Sequence, residues 1–219
     1  MLQASFHLYR NAFSGIPKPV WLLSLVMLVN RSGTMVIPFL TVYLIHKGYS
    51  LGEAGAIMAM FGAGAFLGGY LGGRLTDRYG FFRVQVGSLF MNGVLFVILG
   101  YMEGGLQIGL CVFALSTLGE SFRPANAAAI GAYSDNHNRT RCYSLNRLAI
   151  NLGWAIGPAV GGLLASINYS LLFWVDGATC VLAALLLYLS FSGDGASSFL
   201  KEKSGNIKIA ASVYIDSSF

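Results

Sequence analysis

Two glycine arrays with the same spacing constrain this chain more than any other feature. They read GAFLGGYLGG from Gly64 to Gly73 and GWAIGPAVGG from Gly153 to Gly162, and they lie 89 residues apart. Glycine at every fourth position leaves a stripe without side chains along a helix, so that another backbone can approach closely. Each glycine costs a helix in water about 1 kcal/mol, so the arrays need a packing reason. Membrane helices supply that reason, and the recurrence predicts a duplicated unit.

Composition supports a membrane protein. The 219 residues are 55% hydrophobic and only 11% charged, with a mean hydropathy of +0.64, whereas a soluble domain has about 25% charged residues. Six segments reach or approach the ~20 apolar residues that a membrane-spanning helix needs. They are Trp21–Ile45, Ala54–Gly73, Val84–Tyr101, Leu106–Ile130, Arg147–Ile167 and Leu171–Phe191. Residues 20–192 are therefore predicted to form an all-α, six-helix membrane bundle. Residues 1–19 are predicted to be a cytoplasmic tail, and residues 193–219 a polar, poorly ordered cytoplasmic tail.

The positive charges predict the orientation in the membrane. With the N-terminus inside, eleven Lys and Arg residues fall on the cytoplasmic side and only Lys47 falls outside. This positive-inside bias explains the net charge of +5 without a nucleic-acid partner. Both termini are predicted in the cytoplasm, and the protein in a bacterial inner membrane. The first segment is predicted as one uninterrupted helix, too long for a cleaved signal peptide.

The arrays also predict how the six helices are related. The second helix runs inward and the fifth runs outward, so equivalent helices have opposite directions. Three helices plus three in this relation form an inverted repeat, which is typical of secondary transporters.

The residues that follow the first array resemble the signature loop of the major facilitator superfamily, between its second and third helices. The matching positions are Gly73, Asp77, Arg78, Gly80 and Arg83, while Phe81 and Phe82 stand where that family prefers basic residues. In the family this loop latches the two halves of the transporter in the outward-facing state. The alternative is a plain basic loop.

The second array resembles the fifth-helix motif that the same superfamily associates with drug–proton antiporters. The matching positions are Gly153, Gly157, Pro158, Gly161 and Gly162. In the family the bend at the proline controls closure and leak, although a purely packing role remains open. The resemblance covers residues 18–192 and implies the N-terminal half of a major facilitator fold, acting in proton-coupled efflux of a small molecule.

Four ionisable residues inside the predicted spans are candidates for substrate binding or proton coupling: Arg31, Glu120, Arg123 and Asp176. An isolated Arg31 in hydrocarbon costs at least ~2.5 kcal/mol, so we expect it to pair with Glu120 or Asp176. Arg123 is similar to the fourth-helix arginine that the superfamily associates with proton transfer. Asn30, Asn126, Asn146 and Asn151 are further candidates to line the same cavity. The alternative is that all these groups only fix helix packing.

Other classes of function find little support in the sequence. It lacks the zinc-protease, nucleophile-elbow and phosphate-loop motifs, so neither an enzyme nor a cofactor or metal site is predicted. The expected partners are membrane lipid, a small-molecule substrate, protons, and a second six-helix half or a second copy. Two alternatives remain: a truncated transporter without activity of its own, and a non-transporting membrane scaffold.

Overall fold

Seven α-helices form six membrane-length spans in the computed structural model, which describes residues 13–192. The helices are α1 (Lys18–Ser32), α2 (Val36–His46), α3 (Leu51–Tyr79), α4 (Phe81–Leu99), α5 (Gly105–Tyr133), α6 (Arg139–Ile167) and α7 (Ser170–Phe191). Helices α1 and α2 together make the first span, and each later helix is one span. This confirms the predicted all-α, six-helix fold. Most of the two predicted tails, residues 1–12 and 193–219, lies outside the described residues.

The first span is broken, which the sequence analysis did not predict. Helix α1 ends at Ser32, and α2 begins at Val36. Proline has no N–H, and its ring clashes with the carbonyl group four residues earlier, so Pro38 cannot continue a helical ladder to Thr34. Gly33 lies directly before Thr34, and glycine is a weak helix former. The prediction of one uninterrupted helix was therefore wrong.

The spans extend further than predicted at one end of the bundle. Helix α3 continues to Tyr79, and α4 begins at Phe81. Only Gly80 separates them, with a φ of 82° that side-chain-bearing residues rarely adopt. The predicted gating loop is therefore mostly helical. We call this end, which also carries residues 134–138 between α5 and α6, the Gly80 end; the opposite end is the Lys47 end.

At the Lys47 end, a capping box starts α3. The Ser50 side chain accepts a hydrogen bond from the Glu53 backbone, and the Glu53 carboxylate accepts one from the Ser50 backbone at 2.8 Å. This reciprocal arrangement satisfies backbone donors that the first turn of a helix leaves free, and it fixes the point at which the second span begins.

The first glycine array packs α3 against α5. A Cβ atom added at Gly68 would overlap the backbone of Thr117, and one at Gly72 would lie 2.5 Å from Cα of Ser121. The Ser121 hydroxyl donates to the Gly68 carbonyl oxygen at 3.0 Å. The two backbones are therefore in direct contact, as the glycine spacing predicted.

The second array packs α6 against the first span in the equivalent way. A Cβ atom at Gly153 would overlap the Arg31 side chain, and one at Gly157 would lie 2.8 Å from the Thr34 carbonyl oxygen. Span two thus packs on span four, and span five packs on span one. If spans one, two and three are exchanged with spans four, five and six, the contact of span two with span four becomes the contact of span five with span one.

A third crossing agrees with the same symmetry. Helices α4 and α7 meet at Gly93 and Gly177, and a Cβ atom on either glycine would lie 2.8 Å from the carbonyl oxygen of the other. Such a reciprocal contact is what a two-fold relation produces where its axis passes between two elements. The contacts of all six spans therefore fit the predicted three-plus-three inverted repeat.

Two apolar clusters fill the bundle and leave a polar layer between them. One cluster lies toward the Gly80 end and includes Leu23, Met27, Phe122, Ile130 and Leu187. The other lies toward the Lys47 end and includes Leu40, Leu44, Phe96, Ile108 and Leu172. The charged residues of the spans lie between the two clusters.

Candidate functional site

Asp176 holds the break in the first span. Its side chain on α7 is 1% exposed, and its Oδ2 atom accepts hydrogen bonds from the backbone N–H groups of Met35 and Val36, both at 3.1 Å. These N–H groups begin α2 and have no partner within that helix. A carboxylate at a helix N-terminus is also favoured by the helix dipole. Asp176 therefore acts as the N-terminal cap of a half-helix inside the membrane.

Arg31 stands on the other side of the break, in the last turn of α1. Within residues 13–192 no carboxylate oxygen lies within 4.0 Å of its guanidinium group, and its buried Nε atom has no hydrogen-bond partner. The expected ion pair with Glu120 or Asp176 is therefore wrong. The break in the first span explains why Asp176 does not pair with Arg31, because the free N–H groups at the start of α2 donate hydrogen bonds to Asp176.

Glu120 pairs with Arg123 instead. The carboxylate Oε2 atom lies 2.9 Å from Nη1 of Arg123, one turn later on α5. This spacing puts the two side chains on one helix face. The side chain of Glu120 is 22% exposed and that of Arg123 is 62% exposed, so the pair lies at the open side of the polar layer.

All four predicted ionisable residues line one cavity of about 100 Å³ in the polar layer. We call it the central cavity. Asn30, Asn92 and Ser116 add polar groups to its wall, and Phe61, Phe96 and Trp154 add aromatic ones. The structure thus brings together residues that are far apart in the sequence, although the roles predicted for them remain predictions.

A second cavity lies on the Gly80 side of Arg31, and its volume is about 170 Å³. We call it the Asn146 cavity. Its lining contains the two arginines of the central cavity but neither of the acids, and comprises Met27, Arg31, Arg123, Asn126, Ala127, Tyr143, Asn146 and Ile150. The Nδ2 atom of Asn126 donates to Oδ1 of Asn146 at 3.3 Å. Arg31 and Arg123 therefore separate the two cavities.

The asparagines expected to line the cavity fall into two groups. Asn30 faces the central cavity and donates to the Cys180 sulfur at 3.3 Å, while Asn126 and Asn146 line the second cavity. Asn151 is exposed on α6 and lines neither of these two cavities. Sequence reasoning missed Cys180 and Asn92, since a single cysteine or asparagine within an apolar helix carries no distinguishing signal.

The predicted gating residues lie apart from both cavities, at the Gly80 end. Asp77 and Arg78 are exposed on the last turns of α3, and Arg83 is exposed on the first turn of α4. The Arg78 guanidinium lies 5.3 Å from the Tyr79 ring centre, within the range of a cation–π contact. A Cβ atom added at Gly73 would meet nothing within 4 Å. The gating role of these residues remains a prediction.

The fifth-span motif packs directly on the break in the first span. Gly153 contacts Arg31, Gly157 contacts Thr34, and Gly161 lies against Met35 and Phe39. A Cβ atom added at Gly162 would lie 3.7 Å from the Phe39 ring, an ordinary contact distance. Helix α6 runs through Pro158 as one helix. These contacts support the packing alternative. Control of closure by Pro158 stays a prediction.

The order of these features matches a known family. The sequence profile of the Major Facilitator Superfamily matches residues 20–213. The chain belongs to this superfamily. A crystal structure of a peptide transporter POT in complex with sulfate has a similar fold, with a TM-score of 0.67 and 24% identity; the match covers 93% of this chain and 46% of that one. This confirms half of a major facilitator fold in an integral membrane protein.

Two relatives illustrate the similarity in sequence. The chain is 29% identical over 175 residues to the uncharacterized MFS-type transporter YqjV of Bacillus subtilis, covering 78% of this chain and 42% of that protein. It is 25% identical over 167 residues to the quinolone resistance protein NorA of Staphylococcus aureus, covering 69% and 39%. The chain therefore spans about two fifths of these relatives. The superfamily, and the Bacillus subtilis relative that is named as one of its transporters, agree with a transporter rather than an enzyme.

Proposed function

We propose that the chain forms the N-terminal half of a secondary active transporter that exports a small molecule in exchange for protons. The observation that carries the proposal is the set of four embedded charges, Arg31, Glu120, Arg123 and Asp176, around one cavity between two apolar clusters. Charges inside a membrane are costly and mark substrate or proton pathways. The inverted repeat and the broken first span are also typical of secondary transporters.

The size of the central cavity indicates that the chain needs a partner. Sites for drug-sized ligands have volumes of about 300–1,000 Å³, whereas this cavity has about 100 Å³. Substrate sites in this fold lie at the interface between repeats. We therefore propose that a second six-helix half, or a second copy of the chain, supplies the other wall. In this proposal both termini are cytoplasmic, and Asp77 on the Gly80 end latches onto the partner.

A fusion protein tests the transport function. Joining residues 1–219 to the second half of the Bacillus subtilis relative supplies six further helices, and ethidium efflux can be followed in proteoliposomes with a pH gradient. We expect gradient-dependent efflux that Glu120→Gln lowers at least tenfold. Glu103→Gln, an exposed acid outside the spans, serves as the matched control. Because ethidium is a cation, efflux of the anion benzoate is measured beside it. A folded fusion that moves neither compound, or equal effects of both variants, would contradict the proposal.

The same assay on the chain alone tests the need for a partner. If the partner is a separate second half, we expect no gradient-dependent movement of ethidium, because one wall of the cavity then faces lipid. Asp77→Asn should change nothing, since the latch has no partner to hold. Movement that depends on both the gradient and Asp77 would show that two copies of the chain form a working transporter.

A further inference from the structure

We propose that the Asn146 cavity is a binding site for a small amphipathic carboxylate, with Arg31 as its anchor. This site rests on the transport function proposed above, and it specifies a ligand class for that function.

The charge balance of the cavity favours an anion. Two arginines, Arg31 and Arg123, line the cavity, and no Asp or Glu residue does. Both acids of the polar layer are already engaged, because Glu120 pairs with Arg123 and Asp176 binds the α2 amides. Of the four embedded charges, Arg31 therefore has no oppositely charged group in direct contact with it within residues 13–192.

Two residues of the lining each carry a buried polar atom without a hydrogen-bond partner within residues 13–192. The Arg31 Nε–H is buried and donates to no group within residues 13–192. Asn126 is 3% exposed, and its Oδ1 atom also has no partner there. A buried polar group without a partner costs about 1–3 kcal/mol, and more when it is charged. A planar carboxylate matches the fork of donors that a guanidinium group presents.

The remaining lining specifies the rest of the ligand. Met27 and Ile150 add apolar side chains, and Tyr143 adds an aromatic ring. The Tyr143 hydroxyl group already donates to the Ala127 carbonyl oxygen at 2.9 Å, which fixes the ring. Apolar cavities of about 150 Å³ accommodate a benzene ring, and this cavity has about 170 Å³. A carboxylate on one small ring or short apolar chain therefore fits both the charge and the space.

Binding of benzoate to the purified full chain in detergent tests the site. The three cysteines are free and buried, so a thiol-reactive dye reports thermal unfolding. At constant pH and ionic strength, we expect benzoate to raise the unfolding temperature, and benzamide, the neutral analogue, to have no effect. Inorganic phosphate should act more weakly because it has no apolar part for Met27 and Ile150. Equal effects of benzoate and benzamide, or of benzoate and phosphate, would overturn the proposal.

Variants assign the effect to Arg31. Arg31→Gln should raise the apparent Kd for benzoate at least tenfold, and Arg31→Lys, which keeps the charge without the planar fork, should raise it less. Arg147→Gln is the matched control, since Arg147 is exposed on α6 and does not line the cavity. Unchanged benzoate binding in Arg31→Gln, or equal weakening in Arg147→Gln, would contradict the role of Arg31.

A second measurement leaves Arg31 in place, in case its variants do not fold. Ile150→Cys puts a thiol on the cavity wall, and we expect it to react at least fivefold faster with a negatively charged thiosulfonate reagent than with a positively charged one. Leu148→Cys, exposed on the same helix, should show no such preference. Equal rates at position 150, or a preference there for the positive reagent, would refute the anion site. Neither assay needs a gradient or a second half, so failure of transport and failure of this site are separate outcomes.

Discussion

The carboxylate of Asp176 acts on a helix end that lies inside the bundle. In a water-exposed helix, water can satisfy the first N–H groups, but in the polar layer the N–H groups of Met35 and Val36 depend on this one oxygen atom. Asp176 was predicted as a substrate or proton-coupling residue because it is an acid within a span. The structure gives it a capping contact as well, and the two roles are compatible, since a proton added to the carboxylate would weaken the cap.

Replacing Asp176 tests the capping contact. Asp176→Ala leaves two buried N–H groups without an acceptor, each at a cost of about 1–3 kcal/mol, and should destabilise the protein by about 2–6 kcal/mol. Asp176→Asn, which retains one acceptor oxygen, should cost less. Thermal unfolding measures the cost, and hydrogen exchange should show faster exchange in α2 but not in α3. If the Ala and Asn variants both match the parent protein, the cap does not stabilise the half-helix.

At the scale of helices, two adjacent glycines of α3 provide a matched pair. A methyl group at Gly68 would overlap the Thr117 backbone on α5, while one at Gly69 meets nothing within 4 Å. We expect Gly68→Ala to destabilise the protein by about 1–3 kcal/mol through overpacking. Gly69→Ala should be neutral or slightly stabilising, because alanine is the better helix former. The unfolding temperatures of the two variants in detergent provide the comparison. Equal effects would mean that α3 and α5 do not pack through this glycine stripe.

For the whole molecule, the charges predict the orientation in the membrane. Lys47 and Arg139 lie at opposite ends of the bundle, and both are exposed. In intact cells, a membrane-impermeant maleimide should label Lys47→Cys and spare Arg139→Cys, since the positive-inside rule puts Arg139 in the cytoplasm. The parent chain, whose three cysteines are buried, is the control. The reverse pattern would contradict both the orientation and the latch proposed for Asp77.

The sequence by itself determined the membrane class, the six spans and the inverted repeat. These follow from hydropathy and from glycine spacing, which are properties of each segment on its own. It also identified the four charged residues that line the central cavity, because ionisable side chains in apolar helices almost always face the bundle interior or a cavity. The pairing of Glu120 with Arg123 was within reach too, since an i, i+3 spacing fixes it locally.

Only the tertiary structure decided which groups meet across the bundle. Gly33 and Pro38 are a local signal for a break in the first span, and an interrupted apolar segment points to a binding site. Nothing local, however, shows that the freed amides would engage Asp176, 140 residues away from Val36. That contact leaves Arg31 without a direct partner and puts it between two cavities. Such choices depend on how α1, α5, α6 and α7 pack together, and sequence spacing within one helix carries no information about that.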